Sequence, residues 1–299
     1  MKTTYALTLI GTATTQPLLA THVDQVYAAL NLACEQDWLA ESLACDLVFT
    51  SDFTSAQITS WAQKALKGTA IDVVCTPIEG RRKRILISDM DSTIIDQECI
   101  DELGEIFGVG PSIREITQKV ITGRIGFSDA LRQRLALMKG MQNDLLERVY
   151  NERITLKPGA RTLVQTMRQN GAYCILVSGG FSFFTNRIAE ALGFNDHQAN
   201  ELLFSDGKLT GEVSEPILGR TAKLETLNRL CKNRGVEPAE VLAVGDGAND
   251  IKMIAAAGIG VAFHGSDSLK AQANTHINYA DLTALLYIQG YRKSEFKYG

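Results

Sequence analysis

One short stretch limits more than any other what this chain can fold into. Residues 84–88 form an apolar run that is typical of a buried parallel strand, and the run stops at two aspartates, Asp89 and Asp91. In an open α/β sheet, ligands bind beyond the carboxyl ends of the strands, where residues i and i+2 project to the same side. Because like charges this close repel, the pair predicts a divalent cation and different protonation states for the two groups. Taken alone, it is equally compatible with aspartates that merely end a strand.

Length and composition describe a globular protein. At 299 residues the chain can hold about two domains, and 45% hydrophobic with 21% charged residues is an ordinary globular balance. The formal net charge of −4 argues against a nucleic-acid partner and against an anionic membrane surface. The basic run at residues 81–84 stands out, and we interpret it as a solvated linker between two apolar segments.

Three features favour a cytoplasmic location. The six cysteines are scattered without CxxC spacing, which suits a reducing compartment. The apolar segment near residue 7 alternates as a strand does and is interrupted by Thr8, so we do not interpret it as a signal peptide. No apolar run approaches the roughly 18 residues that cross a bilayer, so no membrane span is expected.

Residues 1–80 predict a small α/β unit. Their apolar patterns indicate, in order, a strand, a helix, a strand, a helix and a strand, and Pro77 and Gly80 mark the end of the unit. This part of the sequence carries no pair of acids, histidines or cysteines placed for chemistry. We therefore expect a binding or dimerisation module.

Directly after the Asp89 strand, residues 96–155 are predicted to be helical throughout. Apolar residues recur at helical spacing in four segments, and glycines separate the segments. A helical insertion at this position predicts a lid over the strand end, which can exclude water and supply residues that recognise a substrate.

Two further strand ends carry polar residues. The strand at 173–177 ends in Ser178-Gly179-Gly180 before a helix, which is typical of an anion site made of backbone N–H groups. The strand at 241–244 is followed by Asp246, Asn249 and Asp250, so four carboxylates are expected to converge on one crevice.

The segment between these two strands predicts a hairpin and a helix. Residues 200–205 and 208–213 flank an Asp-Gly turn signal. Lys223 lies near the start of the helix that follows, where a cation opposes the helix dipole unless an anion is close. A phosphate would supply that anion, although a single lysine is also common on a solvated surface.

The polar segments together resemble the four motifs of the haloacid dehalogenase superfamily of phosphohydrolases. In order, the motifs are Asp89-Met90-Asp91-Ser92-Thr93, Ser178-Gly179, Lys223 and Gly245-Asp246-Gly247-Ala248-Asn249-Asp250. The resemblance runs from about residue 84 to 290. It implies an α/β fold in which a helical cap is inserted after the first strand of a Rossmann-like core with a parallel sheet.

Within the superfamily, the chain resembles the phosphoserine phosphatases. The resemblance rests on the helical insertion and on Glu98, Phe127 and Arg134, whereas Ile121 stands where a methionine is expected. It implies a phosphatase domain over residues 81–299, with its core at 84–95 and 156–290 and its cap at about 96–155. Residues 1–80 more weakly resemble an α+β ferredoxin-like (ACT-like) domain, which could associate subunits into a homodimer or bind serine.

The resemblance also implies a role for each site residue. Asp89 would be the nucleophile that forms an aspartyl phosphate, and Asp91 would be the general acid and base. Mg²⁺ would be bound by Asp89, the Asp91 main-chain carbonyl and Asp246, with Asp250 supporting the site. The phosphoryl clamp would comprise Ser178, Gly179, Lys223 and Asn249.

The implied substrate is O-phospho-L-serine, which presents an ammonium and a carboxylate. Glu98 and Arg134 would bind these two groups and Phe127 would close over the pocket, since the guanidinium fork suits a carboxylate. The implied reaction is the magnesium-dependent release of L-serine and phosphate, the last step of serine biosynthesis. Alternatively, Glu98 is an ordinary exposed helix residue and Arg134 pairs with Asp129 or Glu102 on the lid surface.

Two other functions fit parts of the sequence. The first is a phosphatase for another small phosphate ester or a phosphotransferase; a dehalogenase is disfavoured, because it has no use for an acid at Asp91. The second is an amino-acid sensor with an inactive phosphatase half, against which all the expected catalytic positions argue.

Overall fold

The computed structural model describes residues 2–219 and 221–298. Two larger sheets and a hairpin contain the strands of this part of the chain. These strands are β1 (Thr3–Ile10), β2 (Glu35–Ala40), β3 (Ala44–Ser51), β4 (Asp72–Pro77), β5 (Ile85–Ser88), β6 (Tyr173–Phe181), β7 (Asp196–Asn200), β8 (Leu202–Ser205), β9 (Lys208–Val213), β10 (Val241–Gly245), β11 (Ile259–Phe263) and β12 (Thr275–Ile277).

Helices connect the strands and form the insertion after β5. They are α1 (Ala20–Leu30), α2 (Ser55–Ala65), α3 (Cys99–Phe107), α4 (Gly110–Ile121), α5 (Phe127–Leu137), α6 (Asp144–Arg153), α7 (Ala160–Gln169), α8 (Ser182–Leu192), α9 (Ala222–Arg234), α10 (Ile251–Ala256), α11 (Asp267–Lys270) and α12 (Ala284–Tyr287). Short 3₁₀ helices cover Pro238–Glu240 and Lys293–Glu295. Within residues 2–219 and 221–298, no helix combines the length and the apolar character needed to cross a membrane.

The N-terminal sheet is antiparallel and has the order β2-β3-β1-β4. Leu7 and Leu9 of β1 point to the face that α1 and α2 cover, where they join an apolar core. The βαββαβ order and this strand arrangement confirm the ferredoxin-like prediction. The predicted element list was wrong in one place, because it lacked β2, a short strand rich in polar and charged residues whose apolar pattern is weak.

The second sheet is parallel and has the order β12-β11-β10-β5-β6-β7. Strand β5 lies between β10 and β6, so the three strand ends that carry polar motifs are neighbours in space. The predicted parallel sheet is confirmed. Its edge strand β7 was missed, because its sequence, DHQAN, has few apolar residues; Asn200 belongs to this strand, and the hairpin begins only at Leu202.

Helices α3 to α6 form the insertion, and the hairpin β8–β9 packs against them. The Gly140 N–H donates to the Leu209 carbonyl at 2.8 Å, and the Leu209 N–H donates to the Met141 carbonyl at 2.8 Å. Strand β9 also contacts α5. The hairpin, which was assigned to the core segment 156–290, therefore extends the helical insertion. The exact domain boundaries stay predictions.

The basic run at 81–84 is only partly the solvated linker that the sequence suggested. Only 10% of the Arg81 side chain is exposed, and its guanidinium forms an ion pair of 2.6 Å with the buried carboxylate of Asp46. The same guanidinium donates to the main-chain carbonyls of Tyr287 and Ile288 at 3.1 and 2.8 Å. Arg81 therefore joins the N-terminal sheet to the end of α12, a contact that charge patterning alone could not indicate.

Candidate active site

The candidate site lies where β5, β6 and β10 end side by side. Asp89 follows β5 directly, and its N–H donates to the Val244 carbonyl of β10 at 3.0 Å. The chain then turns sharply, because Ser92 adopts a left-handed φ of 56° and the Met90 carbonyl accepts the N–H groups of residues 93–95. This turn leaves the Asp89 and Asp91 side chains on one cavity wall.

A buried lysine joins two of the carboxylates. Lys223 Nζ lies 2.7 Å from Asp89 Oδ2 and 2.5 Å from Asp250 Oδ1, and the Lys223 residue is only 3% exposed. Burial alone would lower the pKa of Lys223, but the attraction of Asp250 and Asp89 outweighs it and raises that pKa. The lysine therefore carries its charge within the cluster, where it offsets part of the repulsion between the acids.

A glycine allows Asp250 to fold back beneath the end of β10. A Cβ atom at Gly245 would lie 2.3 Å from the Asp250 Cγ atom, so only glycine fits this close approach. Asp250 Oδ2 accepts the Gly247 N–H at 3.0 Å, while its other oxygen binds Lys223. Burial, followed by the charge of Asp89, raises the pKa of Asp250 to about 7.

Asp91 lies between the sheet and the cap. Its Oδ2 accepts the Ser178 hydroxyl at 2.8 Å, and its Oδ1 accepts the Cys99 N–H at the start of α3 at 2.9 Å. Burial is the main cause that raises the pKa of Asp91, and the charge of Asp89 adds to it. The two neighbouring acids thus have different surroundings, since Asp89 faces a cation and Asp91 faces neutral donors.

Asp246 completes an oxygen cluster that suits a hard divalent cation. Carboxylate oxygens of Asp89, Asp246 and Asp250 lie within 4.8 Å of one another. Thr93 Oγ1 donates to Asp246 Oδ1 at 2.9 Å and fixes that carboxylate. Burial and the charge of Asp89 raise the pKa of Asp246 to about 6. An all-oxygen donor set with this excess of negative charge fits Mg²⁺.

Ser178 and Gly179 occupy the end of β6, which continues further than predicted, to Phe181. The Gly180 N–H donates to Ser178 Oγ at 2.8 Å. Asn200 supports this segment from β7, because its side-chain amide donates to the Gly179 carbonyl at 2.8 Å. On the opposite side, Asn249 Nδ2 donates to Asp89 Oδ2 at 3.3 Å. The two neighbouring strand ends therefore each supply a donor to the acids, Ser178 to Asp91 and Asn249 to Asp89.

A cavity of about 560 Å³ separates the strand ends from the cap. Its sheet side is polar, and its cap side is largely apolar apart from three charged residues. The charged residues on the cap side are Glu98, Asp101 and Arg134. Phe127 closes against the sheet so tightly that a Cβ atom at Gly179 would lie 2.9 Å from the Phe127 ring. All three predicted cap residues therefore line the same cavity as Asp89 and Asp91.

Arg134 is not the surface residue of the alternative interpretation. It is 9% exposed, whereas Asp129 pairs with Arg132 and Glu102 pairs with Arg153. Burial lowers the pKa of the Arg134 guanidinium, and the charges of Asp101 and Glu98 oppose that change. A buried cation beside an open cavity is suited to an anionic ligand group.

Glu98 precedes α3 and is solvent-accessible within the cavity that it lines. Its Oε1 accepts the Ser92 hydroxyl at 2.8 Å. Removal from bulk water, followed by the charge of Asp91, raises the pKa of Glu98 to about 9. The carboxyl therefore lies where a cation of a ligand would favour its ionised form.

Sequence reasoning missed several residues that shape the site. Motif spacing gives Thr93 no role of its own, although its hydroxyl binds Asp246, and the strand pattern predicts Asn200 in the hairpin rather than in β7. Asp101 lines the cavity with a buried Oδ1 that has no hydrogen-bond partner in the described part of the chain. Its position one helical turn after Glu98 was a usable signal, since residues i and i+3 share a helix face. Ile121 lines the cavity mouth and is 70% exposed.

Comparison with known proteins shows which family the chain belongs to. The sequence profile of the haloacid dehalogenase-like hydrolases matches residues 86–255, which include Asp89, Ser178, Lys223 and Asp246. The chain belongs to the haloacid dehalogenase-like hydrolases. It is a phosphoric monoester hydrolase.

Relatives within the haloacid dehalogenase-like hydrolases extend this similarity. A phosphoserine phosphatase from Archaeoglobus fulgidus is 38% identical over 233 residues, which are 77% of this chain and 67% of that protein. A solved structure described as a phospho-aspartyl intermediate analogue of phosphoserine phosphatase is 36% identical and superposes with a TM-score of 0.65 over 69% of this chain and 98% of its own.

A third protein shares the fold over nearly the whole chain. The crystal structure of a haloacid dehalogenase family hydrolase from Salmonella enterica serovar Typhi gives a TM-score of 0.86 and covers 95% of this chain and 98% of its own. Because the identity is only 24%, this similarity shows the fold alone. It includes the N-terminal sheet as well as the catalytic part.

Proposed function

We propose that the protein is a magnesium-dependent phosphoserine phosphatase that hydrolyses O-phospho-L-serine to L-serine and phosphate, as the last step of serine biosynthesis. The observation that carries this proposal is a single cavity in which Asp89 and Asp91 face Glu98 and Arg134. Asp89 and Asp91 suit phosphoryl transfer, whereas Glu98 and Arg134 offer opposite charges that could bind the carboxylate and the ammonium of an amino acid. The phosphoserine phosphatases among the relatives support the same substrate.

In the first step, a carboxylate oxygen of Asp89 attacks phosphorus. The new Asp89–phosphorus bond forms as the bond from phosphorus to the serine oxygen breaks, and Asp91 gives its proton to that oxygen. Serine alkoxide is a poor leaving group, so this proton is needed. The raised pKa of Asp91, caused chiefly by burial, supports its role as the acid.

In the second step, water attacks the aspartyl phosphate. Asp91, now ionised, takes a proton from the water, and the bond between Asp89 and phosphorus breaks to release phosphate. Both carboxyl groups return to their starting states. The Lys223 ammonium lies 2.7 Å from the Asp89 carboxylate and would contact the phosphoryl group that Asp89 carries.

Asp89, Asp246 and the Asp91 main-chain carbonyl would hold Mg²⁺. When bound, the ion supplies positive charge for the phosphoryl oxygens and offsets the repulsion among the acids. Asp250 contributes negative charge and orients Lys223, since its two oxygens already accept hydrogen bonds from Lys223 and Gly247. Ser178, the Gly179 N–H, Lys223 and Asn249 would clamp the phosphoryl group from the sheet side.

Recognition of the serine part rests with the cap. Arg134 would bind the substrate carboxylate through its fork, Glu98 would bind the ammonium, and Phe127 would exclude water. The ammonium would also favour the ionised form of Glu98, whose pKa is raised by removal from bulk water. An ester without these two groups would leave both charges unpaired, so selectivity follows from the same contacts.

The remaining parts of the proposal concern location and the N-terminal unit. Six free cysteines, five of them buried, support a reducing compartment such as the cytoplasm. Residues 1–80 would form an ACT-like domain, and its association into a homodimer and its binding of serine are proposals that calorimetry and sedimentation would test.

Two measurements test the activity. Purified protein assayed with Mg²⁺ on a panel of phosphomonoesters should prefer O-phospho-L-serine to O-phosphothreonine, glycerol phosphate and 4-nitrophenyl phosphate; a different best substrate would refute the roles of Glu98 and Arg134. Asp89→Asn should abolish turnover while its circular dichroism spectrum shows that the fold is intact, and the exposed Asp24→Asn should leave turnover intact. Substantial magnesium-dependent activity in Asp89→Asn would exclude Asp89 as the nucleophile.

A further inference from the structure

A buried aspartate of the N-terminal sheet accepts hydrogen bonds from the loop at residues 278–280 of the catalytic part. Asp72, at the start of β4, is 2% exposed. Its carboxylate accepts three consecutive main-chain N–H groups, from Asn278 at 2.7 Å, Tyr279 at 3.1 Å and Ala280 at 2.9 Å. A carboxylate that accepts three backbone donors forms strong, directional contacts, because one partner is charged. The loop after β12 is therefore fixed by a residue about 200 positions earlier in the chain.

The same loop is connected to the candidate metal site by short hydrogen bonds. The Ala280 carbonyl accepts His264 Nε2–H at 2.9 Å, and the His264 N–H donates to the Ile277 carbonyl at 2.8 Å. Two residues further on, the Ser266 N–H donates to the main-chain carbonyl of Asp246 at 2.8 Å. Hydrogen bonds thus connect the segment 264–266 to the loop 278–280 on one side and to Asp246, the proposed cation ligand, on the other.

Within this connection, His264 has an unusual backbone conformation. Its backbone adopts a left-handed φ of 46°, which is unfavourable for a residue with a side chain unless surrounding contacts hold it. Those contacts include the two hydrogen bonds to residues 277 and 280 and the stacking of the His264 ring on Phe263. Loosening of the 278–280 loop would remove one of them and free the segment 264–266. Ser266 and Ser268 line the catalytic cavity, so such a change reaches the site directly.

We infer that Asp72 is a remote positioning residue for the catalytic site, which acts through the 278–280 loop, His264 and Ser266 on Asp246. The N-terminal sheet then contributes to the geometry of the metal site as well as to any association or ligand binding of its own. This inference rests on the proposed function only in taking Asp246 as a magnesium ligand. The mobility of the segment 264–266 can be measured without that assumption.

A matched control lies on the same face of the same sheet. Asp46 is also a buried aspartate and also bridges to the C-terminal segment, but through Arg81 to the end of α12 rather than to the 278–280 loop. Asp72→Asn and Asp46→Asn are the same chemical change at one interface. His264→Asn is a third variant, because asparagine tolerates the left-handed backbone but is too short to reach Ala280. It breaks the connection without replacing a residue of the N-terminal sheet.

The test combines hydrogen exchange of the metal-free protein with Mg²⁺ titration calorimetry and steady-state kinetics on the full chain. Asp72→Asn and His264→Asn should speed exchange in peptides that cover 262–268 and weaken Mg²⁺ binding roughly 3- to 10-fold. The half-saturating Mg²⁺ concentration should rise by the same factor, while kcat at saturating Mg²⁺ stays near the wild-type value. Asp46→Asn should lower the thermal midpoint without changing exchange at 262–268 or the affinity for Mg²⁺.

Two results would overturn the inference. The first is exchange at 262–268 that is the same in Asp72→Asn as in Asp46→Asn. The second is an altered loop with unchanged Mg²⁺ affinity, which would show that Ser266 does not position Asp246. If Asp72→Asn fails to fold, His264→Asn decides between the same outcomes. If the wild-type protein does not hydrolyse phosphoserine, the proposed substrate is refuted, but the exchange measurements still test the role of Asp72.

Discussion

Replacement of Lys223 by methionine should destabilise the protein by an amount that depends on pH. The ammonium forms two short ion pairs, at 2.7 Å to Asp89 and 2.5 Å to Asp250, in a region that excludes water. Methionine has a similar length and no charge, so the variant leaves two buried carboxylates without their cation. Removing one partner of a buried pair typically costs about 3–5 kcal/mol, because the other charge remains desolvated.

The pH dependence follows from Asp250. Burial and Asp89 raise its folded pKa to about 7 even with Lys223 present, above the unfolded value of roughly 4. An acid with a raised folded pKa binds more protons in the folded state, so stability falls as pH rises through that pKa. Without the lysine, which lowers this pKa, the fall continues to higher pH. We expect the deficit to be smaller at pH 6, below the folded pKa of Asp250, than at pH 9, where it should reach about 3–5 kcal/mol.

Urea unfolding at pH 6 and pH 9, in the absence of divalent cations, measures both deficits. Lys232→Met is the control, because Lys232 lies on the same helix, α9, but is exposed. That variant should differ from wild type by less than about 0.5 kcal/mol at either pH. A deficit for Lys223→Met that is equal at the two pH values, or larger at pH 6, would refute the assignment of Lys223 as the cation that favours the ionised form of Asp250.

Three further predictions concern activity. Thr93→Val removes the hydroxyl that binds Asp246 and should raise the half-saturating Mg²⁺ concentration about 5-fold, measured by titrating the assay; an unchanged value would show that the bond to Asp246 is dispensable. Arg134→Lys should raise KM for O-phospho-L-serine roughly 10- to 100-fold while 4-nitrophenyl phosphate, which has no carboxylate, is affected little; equal effects on both would argue against carboxylate binding. Asp91→Asn should slow the single-turnover release of serine from O-phospho-L-serine by about 10²–10⁴ but the single-turnover release of 4-nitrophenolate much less, because that leaving group needs no proton; steady-state turnover should fall for both esters, since hydrolysis of the aspartyl phosphate also uses Asp91.

The catalytic part of the fold could be predicted well from its sequence. Strands β5 and β10 are continuous apolar runs that end in aspartates, and each signal is local in the chain. Because ligands bind beyond the carboxyl ends of parallel strands, Asp89, Asp91, Ser178 and Asp246 are expected in one crevice, and they line one cavity. Strands β2 and β7 were missed because their residues are polar, and a strand at a sheet edge needs little apolar surface.

Contacts between distant segments could not be read from local patterns. The interpretation of Arg81 as linker failed because its partners, Asp46 and the end of α12, are far away in sequence. Asp101 and Thr93 were overlooked for a related reason, since their roles depend on which side chains face them. Periodicity identifies the buried face of an element, but it does not identify the partner on the other side.

The packing of the N-terminal sheet on both faces limits how this unit could have been exchanged between genes. Helices α1 and α2 cover one face, while Ile10, Ala44 and Val74 on the other share a core with Leu285 and Ile288 of the C-terminal segment. A shortened chain that begins near residue 84 would lack the sheet, so Leu285 and Ile288 would be exposed to water and the chain should aggregate. Recombination that transfers the unit to another hydrolase would therefore succeed only if the C-terminal segment moves with it, so the two ends of the chain are expected to evolve together.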